Sequence, residues 1–175
     1  MKKILFVLVI GLLVCSAVFS DHEGLGIGVV GGGGGGLGYG SEYGNVGLSL
    51  KIPVLPIFWG VYGNFLRGHK GFGFTADYYF FDSYLIDRTL SGSDGSGYDL
   101  KLHWFLGGGL FFNLFTGGDK KYFDLGVRLP VGLSWHIINP LELFLAIAPG
   151  IGISNWKDNI FFLGVKGEIG LRLWL

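Results

Sequence analysis

The last fifteen residues of the chain alternate between two kinds of side chain. They read Phe-Phe-Leu-Gly-Val-Lys-Gly-Glu-Ile-Gly-Leu-Arg-Leu-Trp-Leu. The odd-numbered positions from 161 to 175 are apolar or glycine, whereas the even-numbered ones include Lys166, Glu168 and Arg172. Alternate side chains of a β-strand point to opposite faces, so one face is apolar and the other is charged. We interpret this stretch as the closing strand of a transmembrane β-barrel.

Glycine and aromatic residues are frequent in this chain, and charged residues are scarce. The 175 residues include 34 glycines, 17% aromatic residues and 15% charged residues. Soluble domains average about 7% glycine and about 25% charged residues. The glycines follow no every-third-residue period, which excludes a collagen-like triple helix. This composition is typical of a sheet protein with little polar surface.

Residues 1–20 have the features of a secretory signal peptide. Lys2 and Lys3 precede an apolar run over residues 4–14, and we predict cleavage after Ser20. Residues 21–175 would then form a single barrel domain. The alternative is lipidation of Cys15, which follows Leu-Leu-Val and is the only cysteine of the chain. Cleavage after Ser20 would remove Cys15 and leave neither a disulfide nor a thiolate metal site.

The rest of the sequence lacks a helical membrane segment. No later run approaches the roughly 18 consecutive apolar residues of a spanning helix. In lipid every backbone polar group must be paired, so helices and closed barrels are the structures that span a membrane. An exported, apolar chain without such a helix therefore favours a barrel. Without Lys2 and Lys3, eleven basic residues face thirteen acidic ones, which gives no reason to expect nucleic acid as a partner.

Eight segments show the alternation of a strand. They span residues 24–29, 45–52, 59–65, 72–80, 99–106, 123–136, 143–153 and 161–175. Segments of about ten alternating residues fit a strand tilted about 45° through a bilayer, and an even count is usual for bacterial single-chain barrels. The sequence therefore predicts an all-β protein, an eight-stranded antiparallel up-and-down transmembrane β-barrel.

Two connections are predicted to be irregular. The glycine run at residues 31–36 is predicted to begin a flexible outer loop that ends near Gly44. Residues 82–97 contain a Ser-Gly-Ser-Asp-Gly-Ser-Gly loop. Residues 83–90 either extend the fourth strand or form a separate piece.

Two prolines interrupt otherwise regular segments. Pro130 and Pro149 lie in the middle of the sixth and seventh predicted strands. A turn centred on Asn139-Pro140 would bring these two prolines opposite each other across the hairpin. Proline cannot donate a hydrogen bond to a strand ladder, so we expect a local bulge shared by the two strands.

Charged side chains collect on the face that we assign to the interior. Alternation alone does not distinguish a soluble barrel with an apolar interior from a membrane barrel with a polar one. A closed eight-stranded interior has little room beyond its own side chains, and ionised groups survive burial when they are paired. We therefore predict an ion-paired network in the interior of a membrane barrel. Its members are five bases and five acids: Lys51, Asp77, Asp99, Lys101, Asp124, Arg128, Glu142, Lys166, Glu168 and Arg172.

Large aromatic residues lie near the ends of the predicted strands on the outward face. Membrane barrels carry girdles of aromatic residues at both membrane interfaces. The residues that we assign to these girdles are Trp59, Phe72, Trp104, Phe123, Trp135 and Phe161.

With its signal segment, strand count and terminal strand, the chain resembles the small bacterial outer-membrane barrels of the OmpA transmembrane-domain, OmpX and OmpW kind. The resemblance implies a lipid bilayer as partner, the outer membrane as location, and both termini in the periplasm. The loops near 31–44, 66–71, 114–121 and 154–160 would face outside, where they could bind an extracellular ligand, and 82–97 would be periplasmic. In that family the terminal strand is recognised by the barrel-assembly machinery. The matching positions here are Ile169, Leu171, Leu173 and Leu175.

Other chemistry finds weak support in the sequence. Residues 26–31 match the dinucleotide-binding fingerprint in letters but lack the helix that would receive the pyrophosphate. Ser134 and His136 share a strand face, but residues two apart on a strand lie about 6.5 Å apart, beyond hydrogen-bond reach. The histidines show no metal-ligand spacing. We expect neither metal nor cofactor, and a non-enzymatic structural or surface-interaction role. A narrow channel or transporter for small or hydrophobic molecules is the alternative, and a lipid-modifying enzyme is a third hypothesis.

Overall fold

The computed structural model describes residues 24–37, 43–66, 69–91, 97–117, 120–155 and 161–175. The predicted signal segment, residues 1–20, lies outside these ranges. All regular structure in the described residues is β-strand. The strands are β1 (Gly26–Leu37), β2 (Tyr43–Lys51), β3 (Ile57–Leu66), β4 (His69–Ser91), β5 (Gly97–Gly117), β6 (Lys120–Arg128), β7 (Val131–Ile138), β8 (Leu141–Ser154) and β9 (Phe161–Trp174).

The strands form one closed antiparallel ring. Strands that follow each other in sequence pair, except for β6 and β7, and β1 also pairs with β9, which closes the sheet. Both β6 and β7 lie between β5 and β8. They are therefore two halves of one strand, and the ring has eight positions. The predicted all-β, eight-stranded up-and-down barrel is confirmed.

The stagger of the ring follows from the pairing of its residues. A path across the strands runs from Gly26 through Lys51, Phe58, Asp77, Gly109, Arg128, Gly150 and Gly164, and it returns to β1 at Gly36. The shift from Gly26 to Gly36 is ten residues. With about 3.3 Å per residue and strands about 4.7 Å apart, that stagger tilts the strands about 40° from the barrel axis.

The glycine run at residues 31–36 is part of β1, so the predicted outer loop at this position was wrong. These glycines pair with β9 on one side, and Gly31 to Gly34 also pair with β2 on the other. The strands approach closely here, because a Cβ atom at the inward position Gly32 would collide with the carbonyl oxygen of Gly167. At the outward position Gly31 the nearest atom, the carbonyl oxygen of Asn45, would be 3.6 Å from the Cβ atom. Glycine therefore permits the close contact on the inner face, where a larger residue would separate the strands.

Residues 83–90 extend the fourth strand, which is one of the two alternatives that the sequence left open, and most of the predicted loop, residues 92–96, lies outside the described residues. Strand β4 continues to Ser91, and β5 begins at Gly97. Pairing between β3 and β4 starts only at Ile57 with Tyr78, so the later residues of β4 pair with β5 alone. The hairpin formed by β4 and β5 projects beyond the ring at the end where both described termini lie. We call residues 82–91 and 97–100 the overhang; two register shifts, at Tyr79/Phe81 and Tyr84/Ile86, accompany it.

The two prolines do not share a bulge, contrary to our prediction. Strand pairing stops at Leu129–Pro130, but the register is unchanged across the gap, because Arg128 pairs with Gly150 and Val131 with Ile147. The Leu129 N–H donates to the Pro149 carbonyl over 2.9 Å, and the Pro130 carbonyl accepts from the Gly107 N–H over 2.8 Å. The ladder breaks because Pro130 has no N–H to donate. The one-residue shift in this hairpin lies between His136 and Ile138 instead.

The two faces of the ring have opposite polarity. Outward side chains such as Leu48, Leu110 and Ile147 are apolar and more than half exposed. The buried inward residues include many polar and charged side chains. Among the described residues, no helix is long and apolar enough to cross a membrane.

Candidate functional site

The middle of the interior contains a cluster of ionised side chains around Arg128. Strand β6 contributes Arg128, β4 contributes Asp77, and β9 contributes Lys166 and Glu168. Arg128 donates from Nε to Asp77 over 2.8 Å and from Nη2 to Asp77 over 2.5 Å. It also donates to Glu168 over 2.9 and 3.0 Å, and Lys166 Nζ lies 2.8 Å from the same carboxylate. We call these four residues the Arg128 cluster.

The Arg128 cluster is neutral as a whole, with two cations and two carboxylates. Its side chains are between 4 and 11% exposed. Ionised groups at this depth remain stable only when partners and hydrogen bonds replace water. Tyr62 of β3 adds a hydroxyl that donates to Glu168 over 3.0 Å, and its ring lies 3.4 Å below the Lys166 ammonium. Together with Tyr62, the cluster therefore joins four separate strands across the interior.

A second ion pair lies nearer the end of the barrel that carries both described termini. Arg172 of β9 donates to Glu142 of β8 over 3.0 and 3.3 Å and to Ser49 of β2 over 3.2 and 3.4 Å. The indole N–H of Trp174 donates to Glu142 over 2.6 Å. Arg172 also lies against the Phe144 ring, 4.4 Å from its centroid.

Stacked aromatic rings continue from Arg172 across the interior. The guanidinium carbon of Arg172 is 4.7 Å from the Phe58 ring centroid. Phe58 stacks on Tyr79 at 4.2 Å, and Tyr79 stacks on Phe105 at 4.4 Å. The column therefore joins β9, β3, β4 and β5, and it fills the interior at this end.

The opposite end of the interior, which we call the loop end, contains an apolar cluster. Phe115 is fully buried, with its ring 5.9 Å from that of Tyr43, and Phe111 contacts Phe162 at 5.2 Å. Leu66 completes the buried set, and Tyr122 packs against it. The charged interior is therefore enclosed between aromatic residues at both ends.

One cavity lies between the loop-end cluster and the Arg128 cluster. It is bordered by Tyr43, Phe111 and Phe162 on one side and by Thr75, Asn113, Arg128 and Lys166 on the other. Its volume is about 20 Å³. A single water molecule needs at least about 10–15 Å³, so the cavity has room for a water and not for an apolar ligand.

Two histidines and an aspartate meet where the overhang joins the ring. His103 Nδ1 is 3.6 Å from Asp82 Oδ1, and the His103 ring is 5.3 Å from the His136 ring and 4.1 Å from the Tyr84 ring. Ser134 pairs directly with His103 across β5 and β7. Ser134 is 1% exposed, and it does not border the cavity beside the Arg128 cluster. Within the described ranges, no group of three or more histidine, cysteine, aspartate or glutamate residues could hold a metal ion.

The remaining members of the predicted charge network are dispersed. Lys51 is buried and donates from Nζ to the Ile52 carbonyl over 3.4 Å. Asp124 is buried at the loop end of β6, opposite Asn113 and Ser154. Lys101 lies at the base of the overhang, opposite Asp87 and His136. Asp99 lies within the overhang, and its side chain is outside the described part of the structure.

The predicted girdle and assembly residues face outward. Trp59, Trp104 and Trp135 belong to the half of the wall with the termini, whereas Phe72, Phe123 and Phe161 belong to the loop end. Four C-terminal side chains are between 41 and 76% exposed. These are the predicted assembly residues Ile169, Leu171, Leu173 and Leu175.

Sequence reasoning missed several side chains that complete the interior. Tyr62 and Trp174 occupy inward positions of alternating strands, so alternation alone could have nominated them. Asp82 lies in the segment that we expected to be irregular, and its proximity to His103 depends on a register shift. No sequence signal indicated the stack of Phe58, Tyr79 and Phe105.

These features define a closed antiparallel β-barrel with an apolar outer wall and a filled, ion-paired interior. The chain belongs to the family described as "Protein of unknown function (DUF3996)", whose model matches residues 34–173. A search of curated proteins gives no match.

Two solved structures are similar in overall shape. Neisserial surface protein A (NspA) shares 13% identity with a TM-score of 0.47, over 86% of this chain and 96% of that protein. The N-terminal β-barrel domain of Pseudomonas aeruginosa OprF shares 7% identity with a TM-score of 0.41, over 83% of this chain and 96% of that domain.

Proposed function

We propose that this protein is a non-enzymatic integral outer-membrane barrel with a closed interior, and that its role is structural or depends on contacts made by its outer surface. One observation carries the proposal: an apolar wall surrounds an ion-paired interior that is filled at both ends. The resemblance to the OmpA, OmpX and OmpW barrels stays a prediction from the sequence. So do the cleaved signal peptide, recognition by the barrel-assembly machinery and an extracellular ligand.

The exterior supports a position within a bilayer. Outward side chains along β9, such as Val165, Ile169 and Leu173, are about half exposed. A strand of 14 residues at about 3.3 Å per residue and about 40° of tilt rises about 35 Å. That rise exceeds the apolar band of roughly 25 Å on membrane barrels. If the barrel were dissolved in water, its apolar outer wall would be exposed to solvent, and the hydrophobic effect disfavours such exposure.

The interior supports a barrel without a continuous pore. A path along the axis meets the loop-end cluster around Phe115, then the Arg128 cluster, then the stack of Phe58, Tyr79 and Phe105. Opening the middle layer would separate Arg128 from two carboxylates in a medium that screens charge poorly. We therefore expect no steady conductance.

The same closure argues against catalysis in the interior. Ser134 is the buried hydroxyl that pairs with His103, and a substrate would have to displace packed side chains to reach it. A nucleophile must also contact its substrate. Ser134, the hydroxyl behind the hypothesis of a lipid-modifying enzyme, is therefore not accessible to a substrate.

The first experiment is a heat-modifiability gel on protein refolded in detergent. A folded membrane barrel should run as a compact, fast band that slows after boiling. Absence of a shift, together with solubility in detergent-free buffer, would contradict the membrane assignment. In that case the apolar faces would point inward, as in a secreted ligand-carrying barrel.

The second experiment measures current across planar bilayers with the protein that passed the first test. We expect brief or no openings at potentials where a pore-forming porin control conducts steadily. A stable, reproducible conductance would overturn the closed interior and support the narrow channel or transporter.

A further inference from the structure

The outer wall of the ring is almost free of charge, and its two exceptions are neighbours. Leaving out the overhang, the charged side chains described on the outer face are those of Lys70 and Lys121. Both are exposed at the loop end of the barrel. The other charged side chains described on the ring point inward, so the position of these two lysines is not a consequence of a generally charged surface.

Lys70 and Lys121 belong to one row across three strands. Lys70 of β4 pairs with Thr116 of β5, and Thr116 pairs with Lys121 of β6. Paired residues of a sheet share a face, so all three side chains point outward. Two strand spacings separate the lysine Cα atoms by about 10 Å, and two long side chains can close that distance on one anion. We call Lys70, Thr116 and Lys121 the lysine rung.

An aromatic row lies immediately below the lysine rung on the same face. Phe72 pairs with Leu114, and Leu114 pairs with Phe123. Each is two residues from a member of the rung and therefore points in the same direction. Cations above aromatic and apolar side chains reproduce the order of a lipid leaflet, in which charged headgroups lie above glycerol and acyl chains.

Hydrogen bonds fix the backbone of the lysine rung. The Thr116 hydroxyl donates to the Lys70 carbonyl over 3.1 Å. The Asn155 side chain accepts from the Phe123 N–H over 2.6 Å and donates to the Lys121 carbonyl over 3.4 Å. Within the described residues neither lysine ammonium forms an ion pair with a carboxylate. Two exposed cations in the same row repel each other, and an anion between them would remove that repulsion.

We propose that the lysine rung, with Phe72 and Phe123 below it, binds the phosphate headgroup of an anionic lipid in the outer leaflet. Lys70 and Lys121 contact the phosphate from two sides, and the small Thr116 side chain leaves room between them. The acyl chains follow the wall over Phe72 and Leu114. Binding at this site anchors the loop end of the barrel at the membrane surface.

This inference rests on the proposed function, because the site is complete only when the wall lies in a bilayer. A lipid headgroup fits better than free phosphate, since an inorganic ion would leave the aromatic row unused. Each basic residue near an anionic membrane surface contributes about 1 kcal/mol, or about fivefold in affinity. Two lysines therefore predict roughly a 25-fold preference over a zwitterionic lipid.

The test is a titration of folded protein in detergent with phosphatidylglycerol, phosphatidylcholine and inorganic phosphate, followed by native mass spectrometry. The variants are Lys70→Gln, Lys121→Gln and the double variant. Arg88→Gln is the matched control, because it removes one exposed cation from the overhang at the opposite end. The heat-modifiability gel is run on every variant, so that failure to form a barrel is seen separately.

We expect wild type and Arg88→Gln to bind phosphatidylglycerol at least tenfold more tightly than phosphatidylcholine. Each single lysine variant should lose about fivefold, and the double variant should show no preference. Equal affinity for both lipids in wild type, or an undiminished preference in the double variant, would overturn the inference and leave the barrel assignment intact. Binding of inorganic phosphate as tight as that of phosphatidylglycerol would also overturn it. Loss of the heat shift in wild type would instead contradict the proposed function.

Discussion

The interior contains two arginine-centred groups, and each of them stabilises its buried cation with different partners. Arg128 is surrounded by carboxylates, with Asp77 and Glu168 on separate strands and Lys166 as a second cation. Arg172 has one carboxylate, Glu142, together with the Ser49 hydroxyl, and it lies against the rings of Phe58 and Phe144. The first group depends on charge balance, whereas the second combines one ion pair with dispersion and cation–π contacts. The difference predicts unequal tolerance of the same substitution at the two arginines.

Replacement of Arg128 should have the largest effect. Arg128→Met leaves Asp77 without its cation and Glu168 with Lys166 alone, and breaking a buried pair in this way costs about 3–5 kcal/mol. The measurement is the free energy of unfolding in urea for the refolded protein in lipid vesicles. A loss below about 1 kcal/mol would show that water reaches the cluster. A double variant that also carries Asp77→Asn should recover part of the loss, because Lys166 and Glu168 then remain as a balanced ion pair.

The same substitution at Arg172 should cost less. Arg172→Met leaves Glu142 with the Trp174 N–H, and the methionine side chain can still pack between Phe58 and Phe144. Only one carboxylate loses its cation here, so the loss should fall at the lower end of the range of about 3–5 kcal/mol for a broken buried pair, measured in the same unfolding experiment. A loss equal to that of Arg128→Met would remove the distinction between the two groups.

Removal of a single neutral hydrogen-bond donor should have the smallest effect on the free energy of unfolding. Trp174→Phe removes one donor from Glu142, whereas Tyr62→Phe removes one donor from Glu168, which keeps Arg128 and Lys166. We expect losses of about 1.5 kcal/mol for Trp174→Phe and about 0.5–1 kcal/mol for Tyr62→Phe. Reversal of that order would mean that the Tyr62 hydroxyl contributes more than the Trp174 N–H, even though Glu168 keeps two cations.

The alternation in the sequence was sufficient to predict the ring and the polarity of its two faces. A residue in a strand points in or out according to its position, and this local rule applies at Arg128 and Leu171 alike. The same rule placed the aromatic residues Trp59 and Phe161 outside. It needs no knowledge of which strands are neighbours, so a single sequence is enough.

The pattern of a single segment was not sufficient where pairing with neighbouring strands determines the structure. A run of glycines is typical of a flexible loop when it is read alone, yet Gly31 to Gly34 are bonded to β2 and β9 on both sides. The alternation also left the overhang undecided between an extended fourth strand and a separate piece, because residues 82–91 show no regular period. Its register shifts remove the period on which the sequence reading depends.

By itself the sequence determined the strands, the direction of their side chains and the inward position of charges such as Asp77 and Glu168. Only the tertiary structure decided which charges meet. Arg128 reaches Asp77, 51 residues earlier in the chain, and Glu168, 40 residues later, because the ten-residue stagger of the closed ring brings β4, β6 and β9 to the same depth. That stagger arises when β1 pairs with β9, and ring closure is a property of all the strands together rather than of any one segment.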